Sequence, residues 1–225
     1  PIYGVFKDSN GTIWFGTQRN GLGRHIKSNR LFKHLSTKHQ NLSDDVVWGL
    51  KEDNEKKIWV SGQSNILNRL DMDTGMIQDY DTGVLSDKAI TFDERNRLYA
   101  GGVFGLYQYD INAPDFALSK KVITRKDVAY LTSIGDYIYF GAWADGLYRV
   151  NVLDTDHQLE SISFEDKSLP YITTINSYQK LLYVGQLDGL VLIDVDRGLS
   201  REIPQLKDLR VSYIHIDNSG VFVST

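Results

Sequence analysis

Hydrophobic and polar residues alternate along most of this chain with a period of two, which is the side-chain spacing of a β-strand. Short runs rich in Tyr, Trp, Val and Ile are separated by Asp, Asn and Gly, the residues that favour tight turns. No stretch shows the 3.6-residue period of an amphipathic helix. In the first repeat the pattern predicts four strands, near residues 2–6, 12–17, 21–26 and 31–35.

A four-residue motif recurs through the chain in the order apolar, aromatic, apolar, small. Its copies are spaced 39 to 45 residues apart and begin at Ile13, Ile58, Leu98, Ile138, Leu182 and Val221. Four antiparallel strands in a repeat of about 40 residues are typical of a β-propeller blade. The predicted fold class is therefore an all-β propeller of four-stranded antiparallel blades, with five complete repeats and a partial sixth, as a fragment of a larger propeller.

The repeat also predicts how the chain divides into blades. We expect a single propeller segment over residues 1–225, with blades at about 1–40, 41–82, 83–123, 124–166 and 167–206 and a partial blade at 207–225. A closed propeller leaves no long open strand edge, and an exposed edge promotes aggregation. We therefore expect either further blades beyond Thr225 or a second protomer covering the edge.

Two sets of residues in the repeat are assigned to structure rather than to ligand binding. Some glycines end a strand or begin the next one, where a positive φ or a close backbone approach excludes larger residues; they are Gly16, Gly62, Gly101, Gly141 and Gly185 at strand ends and Gly21, Gly105, Gly146 and Gly189 at strand starts. The motif aromatics are expected to fill the space between blades; they are Trp14, Trp59, Tyr99, Tyr139, Tyr183 and Phe222.

Composition and charge exclude several classes of function. The chain has 25 Lys and Arg against 29 Asp and Glu, for a net charge of −4, so it lacks the basic excess of a nucleic-acid binder. No apolar run reaches the roughly 18 residues of a membrane span. There is no cysteine, and hence no disulfide or thiolate metal site.

Residues for catalysis or cofactor binding are weakly represented. The five histidines lack the spacing of metal ligands, and no serine lies in a nucleophile-elbow sequence. The hairpins that begin with Asp8, Asp53 and Asp217 each fix one carboxylate, fewer oxygens than a calcium loop supplies. The segment 71–75 reads as a turn between a third and a fourth strand. We therefore predict no metal, no cofactor and no enzyme activity in this segment.

Two stretches resemble a known repeat family. Residues 5–17, with Gly21, Leu22 and Arg24 after them, and residues 41–53 are similar to the two-component regulator propeller repeat, which reads roughly V-x-x-I-x-x-D-x-x-G-x-L-W-I-G-T and then G-L-x-R. The third to fifth repeats keep only the skeleton, with Tyr in place of Trp. The resemblance implies the periplasmic sensing region of a bacterial membrane-bound regulator, notably a hybrid two-component sensor that responds to carbohydrate fragments.

Candidate binding residues come from the loops between the second and third strands of each blade. In a four-stranded meander these loops lie at the same end of the blade as the linkers to the next blade. The loops and linkers mix carboxylates, amides, an arginine and two aromatics, a combination suited to sugar recognition. The predicted ligand-binding residues are Arg19, Gln63, Phe104, Trp143, Asp145 and Asp188.

The leading hypothesis is a non-catalytic sensor module that binds a small molecule or an oligosaccharide. Two alternatives from other classes remain open: a propeller enzyme, either a lyase or a glycoside hydrolase, and a protein–protein assembly scaffold. A converging cluster of His, Asp or Glu would favour the enzyme, and a large apolar patch would favour the scaffold.

The loop residue Trp143 provides the first test of this hypothesis. If its ring stacks on a sugar, Trp143→Ala should abolish oligosaccharide binding and leave the melting temperature nearly unchanged. Calorimetric titration and thermal unfolding of both proteins measure the two effects, and an unaltered affinity would contradict the assignment.

Overall fold

A computed structural model describes residues 2–25, 32–38, 41–84, 87–142, 144–164, 167–217 and 220–225 of the chain. These residues form antiparallel sheets joined by short turns, and the predicted all-β propeller fold class is confirmed. The chain divides into two compact units, Pro1–Arg125 and Lys126–Thr225, and each is described by itself.

The first unit contains three four-stranded sheets in which each strand pairs with its neighbour in sequence. The first sheet consists of β1 (Ile2–Lys7), β2 (Ile13–Thr17), β3 (Leu22–His25) and β4 (Phe32–Leu35). The second consists of β5 (Val47–Glu52), β6 (Ile58–Gly62), β7 (Ile66–Leu70) and β8 (Ile77–Asp81). The third consists of β9 (Asp87–Phe92), β10 (Leu98–Gly102), β11 (Gly105–Tyr109) and β12 (Lys121–Thr124), with a short 3₁₀ helix at Ala117–Ser119 before β12.

The second unit continues the same pattern. Its first sheet consists of β13 (Tyr130–Ile134), β14 (Tyr137–Ala142), β15 (Gly146–Asn151), β16 (Leu159–Phe164) and the two-residue β17 (Lys167–Ser168). The next consists of β18 (Ile172–Tyr178), β19 (Leu181–Gln186), β20 (Leu190–Asp194) and β21 (Leu199–Glu202), followed by a 3₁₀ helix at Pro204–Leu206. The last described sheet pairs β22 (Tyr213–Asp217) with β23 (Gly220–Ser224).

Two features of this chain differ from the sequence-based expectation. Lys167 and Ser168, which the predicted bounds assign to the fifth blade, instead form β17 and pair with the end of β16 in the fourth sheet. Two 3₁₀ helices that the sequence pattern did not predict interrupt the strands, one between β11 and β12 and one after β21. The segment 71–75 is a turn between β7 and β8, as predicted, with the Asp71 carboxylate accepting hydrogen bonds from main-chain N–H groups.

Aromatic residues of the second strands fill the space between neighbouring sheets within each unit. Trp59 packs in one cluster with Leu67 and Tyr109, which joins the second and third sheets of the first unit. Five of the six motif aromatics, which form an aromatic column through the repeats, have side chains that are 0 to 9% exposed. They are Trp14, Trp59, Tyr99, Tyr139 and Tyr183. A large flat side chain between two twisted sheets removes much apolar area from water.

The prediction for the sixth aromatic, Phe222, is wrong. Its side chain is 54% exposed and meets the ring of His215 at a centroid distance of 6.2 Å. It lies on β23, which pairs with β22 alone among the described residues. Within the second unit no third described strand pairs with this hairpin, so the ring has little to pack against.

A buried aspartate closes the first hairpin of each sheet in the first unit. In the second sheet, Asp53 Oδ1 accepts hydrogen bonds from the main-chain N–H groups of Glu55 and Lys57, at 2.9 and 3.0 Å. Its Oδ2 accepts one from the Trp59 indole at 2.8 Å. The same arrangement joins Asp8 to Trp14 and Asp93 to Tyr99. The turn role of these aspartates was predicted, but the hydrogen bond to the core aromatic was not.

Arginines compensate the buried charge of two of these carboxylates. Arg69 Nε donates to Asp53 Oδ2 at 2.7 Å, and Arg97 Nε donates to Asp93 Oδ2 at 2.6 Å. An isolated buried carboxylate would be costly, whereas a paired and hydrogen-bonded one is tolerated. Burial, followed by the negative charge of Asp93, raises the pKa of Tyr99, so this phenol remains a hydrogen-bond donor.

Gly21 and Gly105 illustrate why the third strands begin with glycine. Their φ angles are +68° and +138°. A Cβ atom would lie 2.1 Å from the Leu35 carbonyl oxygen at the first position and 2.2 Å from that of Thr124 at the second. Both positions therefore combine a conformation and a backbone approach that only glycine permits.

The aromatic column predicts a sharp contrast in stability. Trp59→Ala should lower the free energy of unfolding by about 3–5 kcal/mol, because it leaves a cavity between two sheets. Phe222→Ala should cost about 1 kcal/mol or less, because that ring is already half in water. Urea unfolding followed by circular dichroism measures both, and equal losses would contradict the packing described here.

Candidate functional site

The loops between second and third strands lie beside the linkers to the next sheet, as the meander topology predicts. In the first unit the N–H of Gly21, which follows the β2–β3 loop, donates to the carbonyl of Asp45 in the next linker at 2.7 Å. In the second unit the N–H of Asp208, in the linker after β21, donates to the carbonyl of Asp188 in the β19–β20 loop at 2.8 Å. Each loop is thus joined to a linker through main-chain atoms.

The linker residue Asp44 organises the β6–β7 loop. Its Oδ2 accepts hydrogen bonds from the main-chain N–H groups of Gln63 and Ser64, each at 2.8 Å. Its Oδ1 accepts a third from Val46 at 2.8 Å. Sequence reasoning missed this role, although an Asp just before a strand is a residue that commonly caps neighbouring backbone N–H groups.

Arg19 and Gln63 present free side chains from these fixed loops. Arg19 occupies the bend between β2 and β3, is exposed, and makes no ion pair with the described residues. Gln63 uses its main-chain N–H to bind Asp44, and its side chain is exposed. Both are available to a ligand, as predicted from their positions, but no contact joins the two side chains.

Phe104 forms the two-residue turn between β10 and β11 together with Val103. Its ring is 55% exposed, while its carbonyl oxygen accepts a hydrogen bond from the Tyr107 hydroxyl at 2.8 Å. The backbone of this turn is therefore fixed while the ring faces solvent. Phe104 also lines a shallow cavity of about 430 Å³ in the first unit.

Asp145 is paired within the protein. Its Oδ2 lies 2.5 Å from Lys126 Nζ, and Lys126 lies 4.6 Å from the centre of the Tyr148 ring. The Tyr148 hydroxyl donates to the Asp145 carbonyl at 3.0 Å. The hydrogen bond from Lys126 lowers the pKa of the Asp145 carboxyl, and that of Lys126 is raised in return. A ligand that uses Asp145 would compete with this lysine.

Asp188 and Trp143 complete the set of predicted residues. The side chain of Asp188 is exposed and lines a small cavity of about 40 Å³ with Gln186 and Lys207. Trp143 lies outside the described residues. Five of the six predicted residues therefore occupy equivalent loops of five successive sheets, and Phe104 lines the cavity of about 430 Å³.

The described residues also bear on metal binding and on membrane spanning. Within the described ranges, no three His, Asp or Glu side chains are grouped so that they could hold a metal ion. No helix formed by those residues has the length and apolar character needed to cross a membrane.

Residues 1–19 match the family model for the two component regulator propeller. This segment contains the first hairpin, with Asp8 and Trp14. The resemblance to this repeat is confirmed. No curated protein matches the chain by sequence.

Solved propeller structures superpose on the whole chain. The extracellular domain of the hybrid two component system BT3049 from B. thetaiotaomicron has a TM-score of 0.80 and 20% identity; the match covers 100% of this chain and 32% of that one. That of BT4673, a one component system from the same organism, has a TM-score of 0.63 and 17% identity, covering 98% and 39%. The chain thus spans about a third of these extracellular domains.

An enzyme shares the fold as well. Virginiamycin B lyase from Staphylococcus aureus has a TM-score of 0.74 and 16% identity, and the match covers 99% of this chain and 76% of the lyase. At these identities the likeness concerns the fold, because propellers carry unrelated functions in their loops.

The Asp44 hydrogen bonds predict that the β6–β7 loop loses order without them. Asp44→Ala should speed amide hydrogen exchange at Gln63 and Ser64 about tenfold or more and lower the free energy of unfolding by about 1–3 kcal/mol, since it removes a charged acceptor. Asp188→Ala is the matched control, because its carboxylate makes no hydrogen bond to the described residues. Unchanged exchange in Asp44→Ala would contradict the role of this carboxylate.

Proposed function

We propose that the chain is part of the extracytoplasmic input region of a two-component-type signalling protein, and that it binds a carbohydrate fragment without catalysis. The ligand-binding residues would come from the loops between second and third strands. The likeness to extracellular domains of two-component systems supports the setting, and the match of residues 1–19 supports the type of repeat.

One observation carries the binding part of the proposal: loops with fixed backbones present exposed side chains. The N–H groups of Gln63 and Ser64 are held by Asp44, and the carbonyl of Phe104 is held by Tyr107. A ligand that meets ordered loops loses less of its binding free energy to ordering them. Rigid scaffolds with variable loops are where proteins commonly place recognition.

The chemistry of the exposed side chains suits a sugar. Arginine, glutamine and aspartate side chains form planar sets of donors and acceptors that match vicinal hydroxyls. An exposed ring such as that of Phe104 can stack on the apolar face of a pyranose. The candidate residues are Arg19, Gln63, Phe104, Trp143, Asp145 and Asp188.

The extracytoplasmic location rests on the same likeness. The likeness to the extracellular domains of BT3049 and BT4673 supports it. The effector that receives the signal would lie elsewhere in the parent protein.

The purified protein tests the proposal by calorimetric titration with a panel of neutral and acidic oligosaccharides of two to six sugar units. We expect saturable binding of at least one glycan, with recovery of the same glycan intact by chromatography. Alanine variants at Arg19, Gln63 and Asp188 should weaken binding about tenfold where the residue contacts the ligand, since one lost hydrogen bond is worth about 1–1.5 kcal/mol.

Asn10→Ala is the control, because Asn10 is an exposed polar residue on the hairpin at the other end of its sheet. Absence of binding to every glycan would contradict the carbohydrate ligand. Cleavage of a bound glycan would overturn the non-catalytic assignment in favour of the enzyme class.

A further inference from the structure

The cavity beside Phe104 combines an exposed aromatic ring with two cations. Its volume is about 430 Å³, within the range of small-ligand sites. All of its lining belongs to the first unit and comes from the end of the second sheet and from the third; the residues are Gly83, Val84, Phe104, Tyr107, Lys120, Val122 and Arg125.

Contacts within the protein hold the apolar side chains of this cavity in position. Phe104 is 55% exposed and Val122 is 41% exposed, and Val122 lies opposite Tyr107 in the pairing of β11 with β12. The turn that carries Phe104 is fixed by the hydrogen bond from the Tyr107 hydroxyl. The turn does not require an aromatic residue at position 104, because the positive φ angle that it needs, +138°, falls on Gly105.

The two cations have no carboxylate partner among the described residues. Lys120 Nζ lies 3.5 Å from the Gly83 carbonyl oxygen and 5.8 Å from the centre of the Tyr107 ring. Arg125 is exposed and forms no ion pair with the residues that the structure describes. Two carboxylates lie within two residues of this lining in sequence, Asp81 and Asp127. Asp81 already accepts hydrogen bonds from Gly83 N–H and the Asn65 side chain, and no ion pair among the described residues joins Asp127 to Lys120 or Arg125.

This arrangement is unusual for a chain with more acidic than basic residues, 29 against 25. Two cations beside an apolar surface, neither of them paired with a carboxylate of the described residues, are complementary to a ligand that carries both an anionic group and an apolar face. Arginine and lysine bind carboxylates by charge-assisted hydrogen bonds. A sugar acid has both features on one ring.

We propose that this cavity binds a uronic acid unit of an acidic oligosaccharide. The carboxylate of the sugar would pair with Lys120 and Arg125, and the apolar face of its ring would lie on Phe104. This proposal rests on the carbohydrate-binding function proposed above and names its ligand class and one of its sites.

Matched glycans test the charge requirement. The purified protein is titrated calorimetrically with oligogalacturonate, oligomannuronate and a glucuronate-containing oligosaccharide, and with the methyl ester of each, which keeps the ring and removes the charge. We expect at least one acid to bind at least tenfold more tightly than its ester, with an affinity that falls as the salt concentration rises.

Variants locate the binding. Lys120→Gln, Arg125→Gln and Phe104→Ala should each weaken binding of that acid about tenfold or more while leaving the melting temperature close to that of the parent protein. Lys121→Gln is the charge control, since Lys121 is an exposed neighbour outside the cavity, and Leu118→Ala is the apolar control, since Leu118 is 83% exposed. Both controls should bind like the parent.

The outcomes separate this proposal from the broader one. Binding of neutral glycans or esters that the three cavity variants do not affect would overturn the uronate site and leave the sensor function supported. An acid that binds all variants equally would also overturn it. If benzoate or hexanoate displaces the acid at comparable concentration, the sugar specificity is wrong. Absence of binding to every glycan would contradict both proposals.

Discussion

The hydrogen bond between a buried aspartate and the aromatic of the second strand couples turn geometry to core packing in the first unit. A buried indole N–H needs an acceptor, and Asp8 and Asp53 supply it from the turn that begins the same hairpin. The other carboxylate oxygen satisfies two N–H groups of that turn. One side chain therefore fixes the hairpin and aims the ring into the space between sheets.

The second unit also buries an aromatic in the second strand, but its first hairpins are closed by a different kind of turn. The first hairpins of its first two sheets close through the two-residue turns Gly135–Asp136 and Gln179–Lys180, in which Gly135 and Gln179 have φ of +56° and +54°. Such turns match the twist of the strands. Tyrosine replaces tryptophan in the second strands, and Tyr139 is still only 2% exposed. The sheet architecture thus depends on an aromatic between sheets more than on the means of closing the hairpin.

Strand positions and the repeat could be predicted from the sequence because they depend on local alternation and turn residues. The first-repeat strands begin and end within two residues of the predicted bounds. Phe222 was misassigned because its motif is intact, whereas burial depends on which strands lie beside it. The loop residues Arg19, Gln63 and Phe104 could be placed from topology alone. Asp44 and Lys120 could not, because their contacts with Gln63 and with Gly83 join segments that are distant in sequence and show no periodic signal.

Different groups stabilise the two ends of a sheet. Buried carboxylates stabilise the hairpin end in the first unit. At the other end the main chain provides much of the anchoring, as in the bonds of Gly21 and Asp208. Side chains at that end can be exposed without a loss of packing, and this is where the candidate residues lie.

Anchoring through the main chain has an evolutionary consequence. An N–H or carbonyl group is present whichever residue occupies a position, so a mutation at Arg19 or Asp188 changes what the surface offers and leaves the loop path intact. The first and fifth repeats, whose loops are anchored in this way, are then free to diverge in specificity, while selection for a stable fold acts on the aromatic and glycine positions.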